Sequence, residues 1–273
     1  MRYTIDEVCK VHGYSRQAYY KRRSESYFMI LMEAIMLEHV QEIRRRQPKI
    51  GGRKLYHKIK PLLLEMHFKF GRDRFFDFLR RHVLLIRRRK KYVKTTDSRH
   101  RLRKYPNLIK EIIVTTPHQV YVADITYILT LEGFCYLFLI TDACSRKIVG
   151  YCLSRSLGIE GCIRALRMAL NQIPQGAVVI HHSDRGFQYC SYEYIDLLKQ
   201  KKIDISMTQQ DHVYENALAE RVNGILKDEF MLGETLRNYE IAQKMVKESI
   251  SIYNNERPHQ ALNYDTPSMR HVA

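Results

Sequence analysis

Three acids occupy positions where a carboxylate needs a reason to be. Asp124 falls within Tyr121-Val122-Ala123-Asp124-Ile125-Thr126-Tyr127, a run of β-branched and aromatic residues that predicts a strand. A carboxylate in a strand interior requires a partner or a metal. Asp184 follows an apolar strand expected over 177–181, in His181-His182-Ser183-Asp184-Arg185-Gly186. That is the strand end where open sheets receive their ligands. Glu220 lies near the start of a helix expected over 217–231, in Glu215-Asn216-Ala217-Leu218-Ala219-Glu220-Arg221. Singly, each has a plain structural role: an Arg partner for Asp124, a turn for Asp184, first-turn placement for Glu220. Together, two strand-associated Asp and one helical Glu can converge at one sheet edge. Hard oxygen ligands of this kind suit Mg²⁺ or Mn²⁺, and two such ions about 3.5–4 Å apart clamp both oxygens of an in-line phosphoryl displacement.

The elements that must position these acids follow from periodicity. Strands are expected over 119–129 and 134–141, separated by Glu132-Gly133, and over 147–154. A helix over 159–172, the strand 177–181, a helix over 192–201, a strand over 204–208 and helices over 217–231 and 238–255 complete the order. The sequence therefore predicts a mixed α/β domain with one central sheet over 113–273, ending in a helical extension.

The preceding residues differ in kind. The 273-residue chain carries 46 Lys+Arg against 29 Asp+Glu, a net charge of +17, but residues 1–110 account for +20 and 111–273 for −3. Thr4 and Glu7 have capping-box spacing for a short first helix. His12-Gly13-Tyr14 reads as a turn, and Ser15 caps a second helix over 16–23 bearing Arg16, Gln17 and Lys21. This pattern suits a helix-turn-helix that contacts DNA, or any small helical hairpin. Residues 26–46 predict a longer helix with Met29, Leu31, Met32, Ile35, Met36 and Val40 as its apolar positions. Two more helices, over 53–66 and 73–84, make residues 1–85 an all-helical basic region. The stretch 86–112, rich in Arg and Lys from Arg87, Arg88 and Arg89 to Lys104, reads as a linker, either solvated or gripping phosphates. The six cysteines form no Cys-x-x-Cys pair, so neither a zinc ribbon nor a dithiol motif is present. Without an apolar run of about 18 residues or a secretory core, the chain is expected to be soluble and cytoplasmic.

At this point the sequence resembles a known family. Asp124, Asp184 and Glu220, with 35 residues between the last two, match the acidic triad of DDE transposases and retroviral-type integrases. The surrounding words, Asp124-Ile125-Thr126-Tyr127, Ser145-Arg146-Lys147-Ile148-Val149-Gly150, His182-Ser183-Asp184-Arg185-Gly186, Asn216-Ala217-Leu218-Ala219-Glu220, Leu226-Lys227-Asp228-Glu229 and Arg257-Pro258-His259-Gln260-Ala261-Leu262, resemble bacterial insertion-sequence transposases. The likeness is to the type made from the second of two reading frames, strong over 118–268 and looser through Gly52-Arg53-Lys54-Leu55. It implies an RNase H-like catalytic domain and metal-dependent cleavage and strand transfer at terminal inverted repeats. Asp124, Asp184 and Glu220 would ligate Mg²⁺, or Mn²⁺ in its place, with two ions per site. It also implies double-stranded DNA as partner, a homodimer or larger assembly, and a possible upstream-frame protein. Lys227, two helical turns after Glu220, and Arg53, Lys54 and Arg257 are then DNA-contact candidates, with Asn223, His182 and Gln188 in support. Two departures are visible: Tyr121 replaces the family's frequent Trp, and Glu215 stands where Asp is common.

Overall fold

The computed structural model describes residues 3–86, 100–209 and 217–272. Arg87, Arg88 and Arg89 lie outside the described residues. The described chain divides into two compact units: residues up to Arg46 with Leu55–Leu85, and Gln47–Lys54 with the residues from Ile86 on. Among the described residues no helix is long and apolar enough to cross a membrane.

The first unit is helical. Thr4 and Glu7 form the capping box that starts α1 (Ile5–Val11), and Gly13 takes the left-handed conformation (φ 69°) that the turn requires. Two helices were expected next, over 16–23 and 26–46; instead one helix, α2 (Arg16–Arg46), runs unbroken. Neither Gly nor Pro separates the two stretches, and Ser24 and Ser26 are too weak to stop a helix. Of its expected apolar stripe, Met32, Met36 and Val40 are buried at four-residue spacing, whereas Leu31 is 58% exposed. Leu55, Ile59 and Leu63 of α3 (Gly52–Glu65) and Phe75, Phe78 and Leu79 of α4 (Arg72–Arg81) are the other buried stripes.

The second unit holds a five-stranded sheet in the order β3-β2-β1-β4-β5. β1 (Val120–Thr130), β2 (Gly133–Asp142) and β3 (Ile148–Ser154) are antiparallel, while β4 (Ile180–Ser183) and β5 (Asp204–Met207) run parallel to β1. β4 starts three residues later than the strand expected at 177, because pairing begins at Val120↔Ile180 and Val178 stays 75% exposed. Alternation divides β1 between two cores. Tyr121 and Ala123 join a core with α5 (Ile159–Leu170) and α7 (Tyr192–Gln200). Val120, Val122 and Ile128 face the layer of α8 (Ala217–Glu229) and α9 (Tyr239–Asn255). Gly150 lets α5 lie on β3, since a Cβ there would sit 2.2 Å from the Ala165 carbonyl oxygen. The sequence reading missed two short helices, α6 (Phe187–Cys190) and α10 (Pro267–Val272).

Two segments pack where the sequence did not put them. Gln47–Lys54, read as part of the helical region, belongs to the second unit; the Lys49 N–H donates to the Glu229 carbonyl (3.0 Å). Residues 100–108, read as linker, lie along β5: the Met207 N–H donates to the Pro106 carbonyl (3.2 Å), and the Leu108 N–H donates to Ser206 Oγ (2.9 Å).

Candidate active site

Strand register brings the first two acids together. β1 and β4 pair with a constant offset that ends at Val122↔His182, two residues before Asp124 and Asp184, and the charge of Asp184 is felt at Asp124. Asp124 shares the parity of Val122, whose neighbour across the layer is Ala219 of α8. Asp124 thus faces the helix that carries Glu220 in its first turn.

The two Asp124 oxygens are held separately. The Ile125 N–H donates to Oδ1 (2.9 Å), and Asn223 Nδ2 donates to Oδ2 (2.6 Å) from one turn beyond Glu220. Asp184 closes a tight turn, with Oδ1 accepting from the Gly186 N–H (2.9 Å). Glu220 is exposed. Burial, then the negative charge of Asp184, and more weakly that of Glu220, push the Asp124 carboxyl up to about 7, against the hydrogen bonds from Ile125 and Asn223. Asp124 therefore feels the charge of both other acids.

A divalent cation would relieve that repulsion, and carboxylate oxygens are the donors Mg²⁺ prefers. Among the described residues, no three His, Cys, Asp or Glu side chains stand close enough together to hold a metal ion as they are; what fits the ion is the chemistry of the donors, carboxylate oxygens alone. The donor set fits the ion.

The supporting residues separate into groups. His182 is fully buried, with Nδ1 2.8 Å from Ser206 Oγ, and ties β4 to β5. Gln188 donates to the Leu157 carbonyl (2.9 Å), so it anchors α6 after the Asp184 turn. Lys227 is half-buried two turns along α8 from Glu220. Tyr121, in place of the frequent Trp, fills an apolar slot, with its hydroxyl 2.6 Å from His118 Nδ1. In the helical unit Arg16, Gln17 and Lys21 are exposed, Arg16 making an ion pair with Asp6 (3.4 Å).

Two expected DNA contacts need correction. Arg257 is 4% exposed and donates through Nε (2.8 Å) and Nη2 (2.9 Å) to the Glu229 carboxylate. Lys54, also buried, pairs with the same carboxylate. These two cations neutralise Glu229 inside the unit, leaving only Arg53 of that word exposed. Burial raises the Glu229 carboxyl, but the hydrogen bonds and charges of Arg257 and Lys54 outweigh it and hold the group below its ordinary value. Glu229 was quoted within a word and assigned no role; its signal was an acid beside an apolar helix face, too common to single out.

Residues 114–212 match the Integrase core domain family, and 201–267 match a second family of the same description. The chain is similar to the 31 kDa protein of insertion element IS600 from Shigella sonnei, 35% identical and covering 96% of each chain. It is 33% identical to the transposase for insertion sequence element IS629 from Shigella sonnei, over 66% of this chain and 60% of that protein. Its fold is similar to a chain of the simian T-cell lymphotropic virus intasome in complex with PP2A regulatory subunit B56 gamma, with a TM-score of 0.51 and 16% identity. That likeness spans 82% of this chain and 75% of that one.

Proposed function

Because the chain belongs to the bacterial insertion-sequence transposases of the DDE type, polynucleotidyl transferases with an integrase core, we propose that Asp124, Asp184 and Glu220 are its metal-binding catalytic triad. The reaction is cleavage at the terminal inverted repeats of its element, followed by joining of the freed 3′ end to target DNA. The observation that supports this reading is the parallel pairing of β1 with β4, which ends two residues before Asp124 and Asp184, together with the Asn223 hydrogen bond that links Asp124 to the Glu220 helix.

When bound, Mg²⁺ or Mn²⁺, two per site, supplies the Lewis acidity that activates water or a 3′-hydroxyl and steadies the leaving oxygen. The chain's own residues do the rest. The Ile125 N–H and Asn223 each donate to a different oxygen of Asp124, so each oxygen keeps further acceptor capacity for a cation. The Gly186 N–H restrains the Asp184 carboxylate in its turn. Glu220, exposed on the first turn of α8, completes the set from the opposite side, and Lys227 offers a cation for a DNA phosphate along the same helix. Arg16, Gln17 and Lys21 present an exposed polar face for end recognition, with Arg53 and the Arg87–Arg89 run adding phosphate contacts. The residue 1–85 region and the 113–273 domain then divide recognition from chemistry. A dimer or larger assembly holds two ends together, with or without an upstream-frame protein, in the bacterial cytoplasm.

The test is purified full-length chain, labelled terminal-repeat duplex and Mg²⁺ or Mn²⁺, with nicked and joined products resolved on a denaturing gel. Wild type yields both products and Asp184→Asn yields neither. Equal product from the variant, or none from wild type, overturns the assignment; nicks without joined product would leave a nuclease instead.

A further inference from the structure

We propose that residues 100–108 form a fixed rail for the DNA phosphate backbone beside Asp184, with Arg101, Arg103 and Lys104 as its contacts. The proposal rests on the reading of the chain as a DNA-cutting enzyme and names a surface that reading leaves open.

The segment is anchored on one side and cationic on the other. His100 Nε2 donates to the Arg185 carbonyl (2.7 Å), directly after Asp184. Leu102 and Tyr105 pack against the core shared by α5 and α7, and Pro106 and Leu108 bond to β5. Between these anchors Arg101, Arg103 and Lys104 are exposed. Five consecutive residues are thus sorted by side, Leu102 and Tyr105 inward and the three cations outward. A solvated linker has no reason to show such sorting.

Among the described residues the charges are also unspent. Arg16, Arg72, Arg80 and Arg81 of the helical unit each pair with a carboxylate, as do Lys49, Lys54, Arg155 and Arg257 of the second unit. Among the described residues, Arg101, Arg103 and Lys104 make no ion pair; Arg103 lies over the Tyr105 ring (5.2 Å), which steadies the guanidinium without neutralising it. Their position relative to the acids is reported by Cys190. Burial pushes its thiol up to about 11, Asp184 adds to the rise, and Lys104 and Arg185 oppose it, so these charges share one neighbourhood. Three anchored, unpaired cations beside a carboxylate edge suit a polyanion that must be brought to that edge against its repulsion. A phosphodiester backbone is such a ligand.

The experiment measures binding of the full-length chain to a random-sequence duplex by fluorescence anisotropy across a KCl series without divalent metal. The triple variant Arg101→Gln/Arg103→Gln/Lys104→Gln is compared with Lys199→Gln/Lys201→Gln/Lys202→Gln. The second set removes equal charge at the end of α7 leading into β5, opposite the strand ends near Asp184. The rail variant should lower the slope of log K against log salt by about 2.7, roughly 0.9 per phosphate contact, while the control keeps the wild-type slope. An unchanged slope in the rail variant, or an equal loss in the control, overturns the proposal and leaves the enzymatic reading standing. Wild type that binds no duplex would overturn both. If thermal unfolding shows the triple variant to be destabilised, the three single substitutions replace it, each expected to lower the slope by about 0.9.

Discussion

The two ends of α8 carry glutamates in opposite circumstances. Glu220, in the first turn, points its charge toward a site where Asp124 and Asp184 already repel each other. Glu229, at the last residue, is enclosed by Arg257 and Lys54. Among the described residues, the same side chain on one helix makes no ion pair at one end and pairs with two cations at the other. Acids whose charge is answered within the protein hold structure together; acids crowded without a cation store an affinity for one. That contrast separates site from scaffold better than exposure does, since Asp124 is itself half-buried.

Substitutions at the two ends should therefore fail in different assays. The largest effect is expected for Asp184→Asn, which should lower strand cleavage by several kcal/mol of activation free energy, on the order of a thousand-fold or more. Its thermal midpoint should equal or exceed that of wild type, because a like charge is removed. A fall in midpoint with activity intact would reverse the contrast. Next comes Glu229→Gln, which strands two buried cations and should cost about 3–5 kcal/mol of stability in urea titration. The neighbouring Asp228→Asn, at an exposed position, should stay within about 0.5 kcal/mol, and equal losses for the two would dissolve the distinction.

Asn223→Ala, which removes the donor to Asp124 Oδ2, should weaken Mn²⁺ binding by roughly ten-fold in calorimetry while leaving folding cooperative. Unaltered affinity would limit Asn223 to packing. The smallest effect concerns pH. The Glu229 carboxyl is held below its ordinary 4.5, so its stabilisation is complete above that value and is lost as pH falls through the lowered folded value. The stability gap between wild type and Glu229→Gln should accordingly be steady from pH 4.5 to about pH 7, narrow below 4.5, and narrow again as pH rises through the Lys54 value, which burial pushes down to about 8; a gap that widens on acidification would contradict the ion-pair account.

What the sequence revealed, and what it hid, follows from the range of the forces involved. Asp124 was legible because a carboxylate between Ala123 and Ile125 breaks a strand pattern, and the strand and helix order emerged from local periodicity. The unbroken α2 was misread because serines at 24 and 26 look like caps in isolation, and only the continuing helix overrules them. Arg257 and Lys54 read as DNA contacts because a cation's partner is set by tertiary approach; Glu229 lies 175 residues from Lys54. Residues 100–108 were hidden differently: the Arg and Lys that dominate their composition masked the two side chains, Leu102 and Tyr105, that fix the segment to the core.

The mixed direction of the sheet has a kinetic consequence. β1, β2 and β3 follow one another through short connections, so their contacts close little chain and can form early. β4 joins β1 only across a separation of sixty residues, Val120 to Ile180, with a strand pair, a helix and their loops between. Loop closure of that length makes this pairing a late event, and it is the step that brings Asp184 beside Asp124. An emerging chain therefore holds a lone acid on a finished meander until folding is nearly complete. The proposed catalytic pair is thus completed last, with the native state itself serving as the licence.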